Sequence, residues 1–511
     1  MCSGTPLRRL TFVLSVATRL CSMRFAHRLR RRSGQPITQP SVAGTLPEEL
    51  LIIIFRLLHP HGARVDTELV WFEPAELVAK TLLAASRVCR AWREPATVAL
   101  FRNARPVTAT ATLQLSRALS QRPDLAPHVA SLALPALCAP RPSKFLRDVH
   151  RLILPRVTWA LSQDICVAVS RTAEAAVNVE LLELPFDIFW YSRAISSCKW
   201  LWDSFDMNKL VQLKITNPDT RGEFRLWDTA LPFPMLRSLC LEHAYVDTFE
   251  VDVYNPHFHS PSLALTLLTE LVLDRVKITY LWHFVYFLRH ISTLRRFRMY
   301  DTILLGGNEY HPFATSPLCL VDEIQLDHAK SPSQSLPMEH LEEFTVGLSR
   351  KAPDAFPSDV PKVPQFCHLT IFSHLGYLGI PSHCIGVSLR LPPSLTSLAV
   401  FYDYTDGNLN IGLARAATLL RQLPEWRVQA QRLDRIDNRI PWCDSKHLFT
   451  WRLLGLLLPL HSVLEDMHVS MNIWCVHRKR NHQRLIRTIR LARIDNKKQA
   501  ASFRKRHWLR R

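Results

Sequence analysis

Apolar and polar positions follow two different rhythms along the chain. Between residues 46 and 102 the rhythm is helical. Leu50, Ile54, Leu57 and Leu58 recur at helical spacing, which places them on one stripe of a helix. Pro47 suits a first helical position, where its missing N–H costs nothing, and Glu48 and Glu49 suit the positive end of the helix dipole. Pro60 should end this helix. A second helix is predicted to begin after Pro74 and run through Leu82 and Leu83. A third carries Val88 to Arg93 and should stop or bend near Pro95. About forty residues in three short helices bury too little to stand alone, so a partner surface or a following domain is expected. On this reading Leu50 and Leu57 are internal core.

Beyond residue 102 the rhythm becomes apolar-x-x-apolar-x-apolar. It begins at Val129, Val149, Val179, Leu210, Leu236, Leu268, Leu294, Val321, Leu341, Phe366 and Leu395, and again at Leu464. Alternation puts such residues on one face of a strand. Ten intervals separate Val129 from Leu395, a mean of about 27 residues, which resembles a leucine-rich repeat. Each rung of that kind buries its apolar face only by stacking on its neighbours. The Asn expected after each strand is replaced by Ala244, Val276, Thr302, Ala329 and Ser349, so the rungs must satisfy their turns in another way and an irregular solenoid is expected. Helices fit between the strands; Leu281, Phe284, Val285 and Leu288 form one apolar stripe. Residues 405–450 break the period and read as an insertion.

Charge changes the picture only at the ends. The chain of 511 residues carries a net charge of +20. Residues 1–47 contain eight Arg and no acid, and residues 478–511 contain fourteen Lys or Arg and one Asp. The body between them is close to neutral, unlike a folded nucleic-acid groove, which carries its charge on the folded surface. Residues 1–44 read as a basic disordered leader or an over-extended start, with Met23 as an alternative. Arg8, Arg9, Arg19, Arg24 and Arg28 among Leu10, Val13, Leu14, Leu20 and Phe25 also have the composition of a mitochondrial transit peptide; a secretory signal is the remaining option. In the tail, Arg484, Arg487, Arg490 and Arg493 recur every three residues. That spacing suits a helix on nucleic acid, an acidic membrane or an import receptor, or a solvated end.

Twelve Cys without a CxxC pair read as reduced thiols of a cytoplasmic or nuclear protein. No apolar run approaches the roughly 18–20 residues needed to span a bilayer, so no membrane partner is expected. The run Leu453–Leu460, broken by Pro459, reads as a buried element. Phosphate-loop, nucleophile-elbow, zincin and kinase signatures are all missing. His59 with His61, and His257 with His259, have a spacing that serves a metal only with further ligands. No enzyme activity, cofactor, metal or catalytic residue is therefore expected.

The ordered set Leu46, Pro47, Glu48, Glu49, Leu50, Ile54, Phe55, Leu82, Leu83, Ser86, Val88, Cys89, Arg90 and Trp92 resembles the F-box motif. The resemblance covers residues 45–102 and includes Leu100, Phe101 and Arg102. It departs in the segment His59–Lys80, which is longer than the usual link between the first two helices. The resemblance implies docking on the SCF adaptor subunit and, through it, on a cullin. Carried over by position, Leu46, Pro47, Ile54, Val88 and Trp92 would face or brace that adaptor. With its degenerate repeats the chain is similar to the F-box proteins of mushroom-forming fungi.

The expected fold class is α/β, a short three-helix F-box followed by an irregular leucine-rich-repeat solenoid. The expected domains are the leader 1–44, the F-box 45–102, the repeats 103–473 and the basic tail 474–511. The implied function is substrate recognition for an SCF-type ubiquitin ligase, with a nuclear or nucleic-acid-associated scaffold as the alternative. A substrate would meet the charged positions between the apolar ones. Arg295, Arg296 and Arg298 form a basic rung, followed by the acidic rungs of Asp322 and Glu323 and of Glu342 and Glu343. Either this bipolar patch receives acidic and basic segments, or Arg296 merely bridges Glu270 and Glu323 on neighbouring strands.

Overall fold

Apolar residues four apart draw the first helices together. In the computed structural model α1 spans Glu48–Leu58, α2 Ala75–Ser86 and α3 Arg90–Arg102. Leu51 and Phe55 of α1, Val78, Leu82 and Ala85 of α2, and Trp92, Ala96 and Ala99 of α3 make one buried cluster. Phe55 meets Trp92 edge-on, with ring centroids 5.5 Å apart at 75°, a favoured aromatic geometry. α1 and α2 both lie against α3. The structure describes residues within 46–58, 75–134, 167–185, 206–216, 233–246, 265–306, 313–347, 366–381, 388–401, 418–442, 470–478 and 485–490, apart from short gaps inside those spans.

Three expectations change here. α3 does not stop at Pro95 but runs through it, with the proline buried. The ring forfeits one backbone hydrogen bond, and its burial beside Trp92 and Ala96 offsets part of that loss. The second helix does begin after Pro74, at Ala75, so Ala75 to Lys80 belong to α2 and not to the link between the helices. Leu50 is not core: it is 47% exposed, because Leu51 and Phe55 hold the inward stripe of α1.

The chain divides into two compact units, 1–133 with 171–178, and 134–170 with 179–511. The first also holds α4 (Ala109–Gln121), whose N-cap Thr108 accepts a hydrogen bond from the backbone N–H of Ala111 at 3.1 Å. Two short strands, β1 (Asn103–Ala104) and β2 (Ser131–Ala133), pair in parallel within it.

The second unit is built on a large parallel sheet, so the protein is mixed α/β. In chain order its strands are β3 (Leu181–Pro185), β4 (Gln212–Thr216), β5 (Ser238–Glu242), β6 (Tyr245–Val246), β7 (Glu270–Asp274) and β8 (Lys277–Ile278). There follow β9 (Arg296–Tyr300), β10 (Ile303–Gly306), β11 (Phe313–Thr315), β12 (Glu343–Gly347), β13 (Phe366–His368) and β14 (Tyr377–Pro381). The last are β15 (Ser388–Arg390), β16 (Ser397–Phe401), β17 (Arg435–Trp442), β18 (Ser470–Arg478) and β19 (Leu485–Arg490). The large sheet runs β3-β4-β5-β7-β9-β12-β14-β16-β17-β18-β19, antiparallel only at its last pair. A smaller sheet has the order β11-β10-β8-β6, and β13 pairs with β15.

Register explains the order. Leu182, Leu213, Leu239, Leu271, Phe297, Phe344, Leu378, Leu398 and Ile436 stand opposite one another across successive strands. Each is at most 1% exposed, and each such burial contributes about 1.5–3 kcal/mol. Phe297 stacks on Phe344 at 5.8 Å, and Phe284 of the helix Leu281–Arg289 reaches Phe297 at 6.0 Å. The stripe Leu281, Phe284, Val285 and Leu288 of that helix is buried. One backbone carbonyl before each strand accepts from two consecutive N–H groups of the next rung; Arg295 O serves Glu342 and Glu343, and Thr396 O serves Asp434 and Arg435.

The turns find partners without an Asn ladder. β8 pairs in parallel with β6 and β10 just past Ala244, Val276 and Thr302, and Thr302 Oγ1 donates to the carbonyl of Leu273 at 3.2 Å. Ala329 lies in a helix, and Ser349 is outside the described residues.

Other rungs differ from expectation. Val321 opens no strand; it lies in the helix Cys319–Lys330. Phe366 belongs to the β13–β15 pair, and the true rung of the large sheet starts at Leu375, with Leu378 and Ile380 buried on β14. Residues 435–442, expected within an insertion, form β17 in register with β16. The inward residues that open these rungs are therefore 179, 210, 236, 268, 294, 341, 375, 395 and 433. The interval is widest from 294 to 341, where β10, β11 and the helix Cys319–Lys330 are inserted. Residues 485–490 form a strand, not a helix, and a strand repeats every two residues, so the three-residue Arg spacing does not keep to one face. Val149, Leu453–Leu460 and Leu464 lie outside the described residues.

Candidate functional site

The first unit presents an apolar surface that its own core does not use. α1 is apolar on two sides: Leu51 and Phe55 turn inward, while Leu50 and Ile53 are 47% and 51% exposed. Ile54 is half-buried against the cluster, as are Leu46 and Val88. On α2, Leu83 is 44% exposed. Of the residues expected to meet a partner, Pro47 is exposed, Leu46, Ile54 and Val88 border both core and water, and Trp92 is 7% exposed inside the cluster. Trp92 can brace a docking surface from behind but offers little area to it. Leu50, Ile53 and Leu83, which motif position alone did not select, carry the exposed area. The signal was present in residues 50–55, where apolar residues fill every helix direction.

In the second unit the strands around β9 present charges, while exposed Leu326 and Val428 lie on helices. On β9 and its neighbours the register sets Glu270, Arg296 and Glu343 in line. Arg298 bridges the two acids: its Nε donates to Glu343 at 2.7 Å, its Nη2 donates to the other Glu343 oxygen at 3.0 Å, and its Nη1 lies 3.3 Å from Glu270. Burial works against its charge, but the hydrogen-bonded Glu343 and then Glu270 hold the guanidinium well above its ordinary range. With its side chain only 7% exposed, Arg298 is a closed cation. Arg298 thus bridges Glu270 and Glu343, and Glu323, expected as the second acid, lies on a helix and not on the neighbouring strand.

Asp322 and Glu323 are not on the strand face at all; they sit on the helix Cys319–Lys330. Their hexad spacing fits a helix for its first two apolar positions, and Leu326 at the third is 54% exposed. Burial pushes the Asp322 carboxyl up to about 6, with Glu323 adding and His368 opposing. The basic rung thus meets one acidic rung, not two. Arg295 and Glu342, just before their strands, form an exposed pair at 3.0 Å, which contributes about 0–1 kcal/mol.

A second closed network lies toward β4. Lys214 reaches Glu183 at 3.1 Å and Glu242 at 2.8 Å, and Arg275 reaches Glu242 at 2.8 Å. Arg275 has a φ of 56°, a left-handed backbone that its ion pairs and its N–H bond to the Tyr300 carbonyl hold in place. Burial opposes the charge of Lys214, but Glu183 and Glu242 outweigh it and hold the amine above its ordinary range. Burial pushes the neighbouring Cys240 thiol up to about 12, with Lys214 opposing, which leaves it a poor nucleophile.

Toward β17 the same face changes character. A Cβ on Gly347 would stand 2.8 Å from the Tyr300 ring, and one on Gly379 would stand 2.9 Å from the Phe401 ring, so both rings lie over glycines. Burial, then the Glu343 and Asp437 carboxylates, push the Tyr377 phenol above its ordinary range. Arg435 donates to fully buried Asp437 through Nη2 at 2.6 Å and Nε at 3.1 Å.

Among the described residues no group of three or more His, Cys, Asp or Glu is placed to hold a metal, and no helix is long and apolar enough to cross a membrane. His59, His61, His257 and His259 are outside the described residues, as are residues 1–44. Comparison with protein-family models gives no match, and comparison with curated proteins gives none either.

Proposed function

We propose that this protein is the substrate-recognition subunit of an SCF-type ubiquitin ligase. The helices α1 to α3 act as an F-box, and the strand unit acts as an irregular leucine-rich-repeat solenoid that holds a target protein. The observation that carries the reading is the second apolar stripe of α1. Leu50 and Ile53 stay in water on a helix whose other side already serves the core. Each is about half exposed, so a partner that covers it adds roughly half of the 1.5–3 kcal/mol of a full burial, about 1 kcal/mol, and the stripe suits the adaptor surface. The ordered motif from Leu46 to Trp92 supports the same reading. The chain itself supplies no chemistry; it would hold a target near the ligase's catalytic centre, a proximity effect.

The test is co-purification of the full chain with the adaptor subunit. The native chain is expected to retain it. Leu50→Ser with Ile53→Ser is expected to lose it while melting within about 0.5 kcal/mol of the native protein, as exposed substitutions do. A native chain that fails to retain the adaptor would remove the proposal.

A further inference from the structure

The corners that lead into β12 and β14 are built alike. In each, the N–H of a buried leucine donates to the carbonyl three residues earlier: Leu341 to Met338 at 3.0 Å, and Leu375 to Phe372 at 3.1 Å. Met338, Leu341, Phe372 and Leu375 are all buried, so both ends of each corner are anchored in the core. β12 and β14 pair in parallel, and the Gly376 N–H donates to the Glu342 carbonyl at 2.9 Å. The two corners therefore lie side by side.

The residue before each leucine is a histidine, and both are exposed. The rings of His340 and His374 have centroids 5.8 Å apart, with their planes at 47°. On other rungs the same position holds Met235, Leu267, Thr293 and Ser394. Thr293 and Ser394 turn their hydroxyls back onto the carbonyls of Leu268 and Leu375. Only these two adjoining corners thus set ring nitrogens next to each other, and they do so from a rigid frame. A neutral imidazole keeps one unprotonated nitrogen, which is a metal ligand.

We propose that His340 and His374 chelate a divalent transition-metal ion of the Zn2+ type across the two corners. A Zn–N bond is about 2.0–2.1 Å, so two imidazoles on one tetrahedral ion have centroids about 5 Å apart. Rotation of two exposed side chains closes the remaining gap, which is below about 1 Å. Two protein ligands leave the other positions of the ion to water or to a donor from a bound protein, so the ion exchanges readily. The residues lie far apart in the chain, outside any His-x-His spacing, and only the stacking of rungs brings them together. The assignment rests on neither adaptor docking nor target capture, so its failure leaves the proposed function standing. The competing account is a plain ring pair, since the separation also falls in the aromatic range.

The test is a ZnCl2 titration of the full chain carrying 13Cε1-labelled histidine. The chain has 22 His, and the two signals are assigned by their loss in His340→Gln and His374→Gln, exposed substitutions that leave the fold intact. Both signals are expected to move together with one saturation point, and to return when EDTA is added. In either single variant the remaining ring should bind about a hundredfold more weakly, because the second ligand no longer acts within the same molecule. Mg2+, which takes oxygen ligands, should move neither signal. The proposal is overturned by signals that stay still, by two separate saturation points, or by a loss of less than about tenfold in the single variants. An equal response to Mg2+ also overturns it, because the ion would then be held by general charge and not by imidazole nitrogens.

Discussion

Helix α1 and strand β9 solve opposite problems. α1 leaves large apolar side chains in water beside a filled core, with Ile53 51% exposed. β9 withdraws a guanidinium from water and surrounds it with two carboxylates, Arg298 being 6% exposed. Judged by residue type alone, the Arg rung would be the sticky surface and α1 an ordinary helix. Partner accounting reverses that. A charge whose hydrogen bonds are all made within the fold has little left for a ligand. An apolar residue left half in water still has about half of its burial energy to gain.

The contrast can be broken at two points, beginning with the larger effect. Trp92→Ala removes the ring that Phe55 meets in the helical cluster, and a core truncation of this size costs about 3–5 kcal/mol. Native-state hydrogen exchange of the α3 amides should accelerate accordingly. Unchanged exchange would mean that Trp92 is an outer anchor after all. Arg298→Ala should cost about 3 kcal/mol in denaturant unfolding, because Glu343 and Glu270 then lose the cation between them. A loss below about 0.5 kcal/mol would mark Arg298 as an available surface charge. Replacing Arg298 is consequently a poor probe of target capture, since it damages the fold first.

Much of the strand unit was legible because its apolar positions obey the two-residue period of a strand. Leu210, Leu236, Leu268, Leu294, Leu341 and Leu395 all open rungs whose later apolar positions are buried. The misreadings have physical causes. In Val321, Ile324 and Leu326 the first two positions are three apart, which a helix shares with the hexad, and only the exposure of Leu326 separates the cases. The β17 rung was hidden because Asn438 stands where the third apolar residue should be, although Leu433 and Ile436 are buried as usual. With Val321 taken as a strand, β9 acquired the wrong neighbour, and the pairing of Arg298 with Glu343 could not be seen. In the helical unit the three helices were legible from their apolar spacing. The choice of Leu51 over Leu50 as core was not, because α1 is apolar in both directions.

Hydrogen exchange of the full chain with and without the adaptor subunit tests the central claim most directly. Binding through α1 predicts slowed exchange across Leu50–Ile54, where exposed Leu50 and Ile53 would be covered, with the amides of β7, β9 and β12 unchanged. Binding that leaves Leu50–Ile54 at their free rates, or protects the strand face in their place, would contradict it.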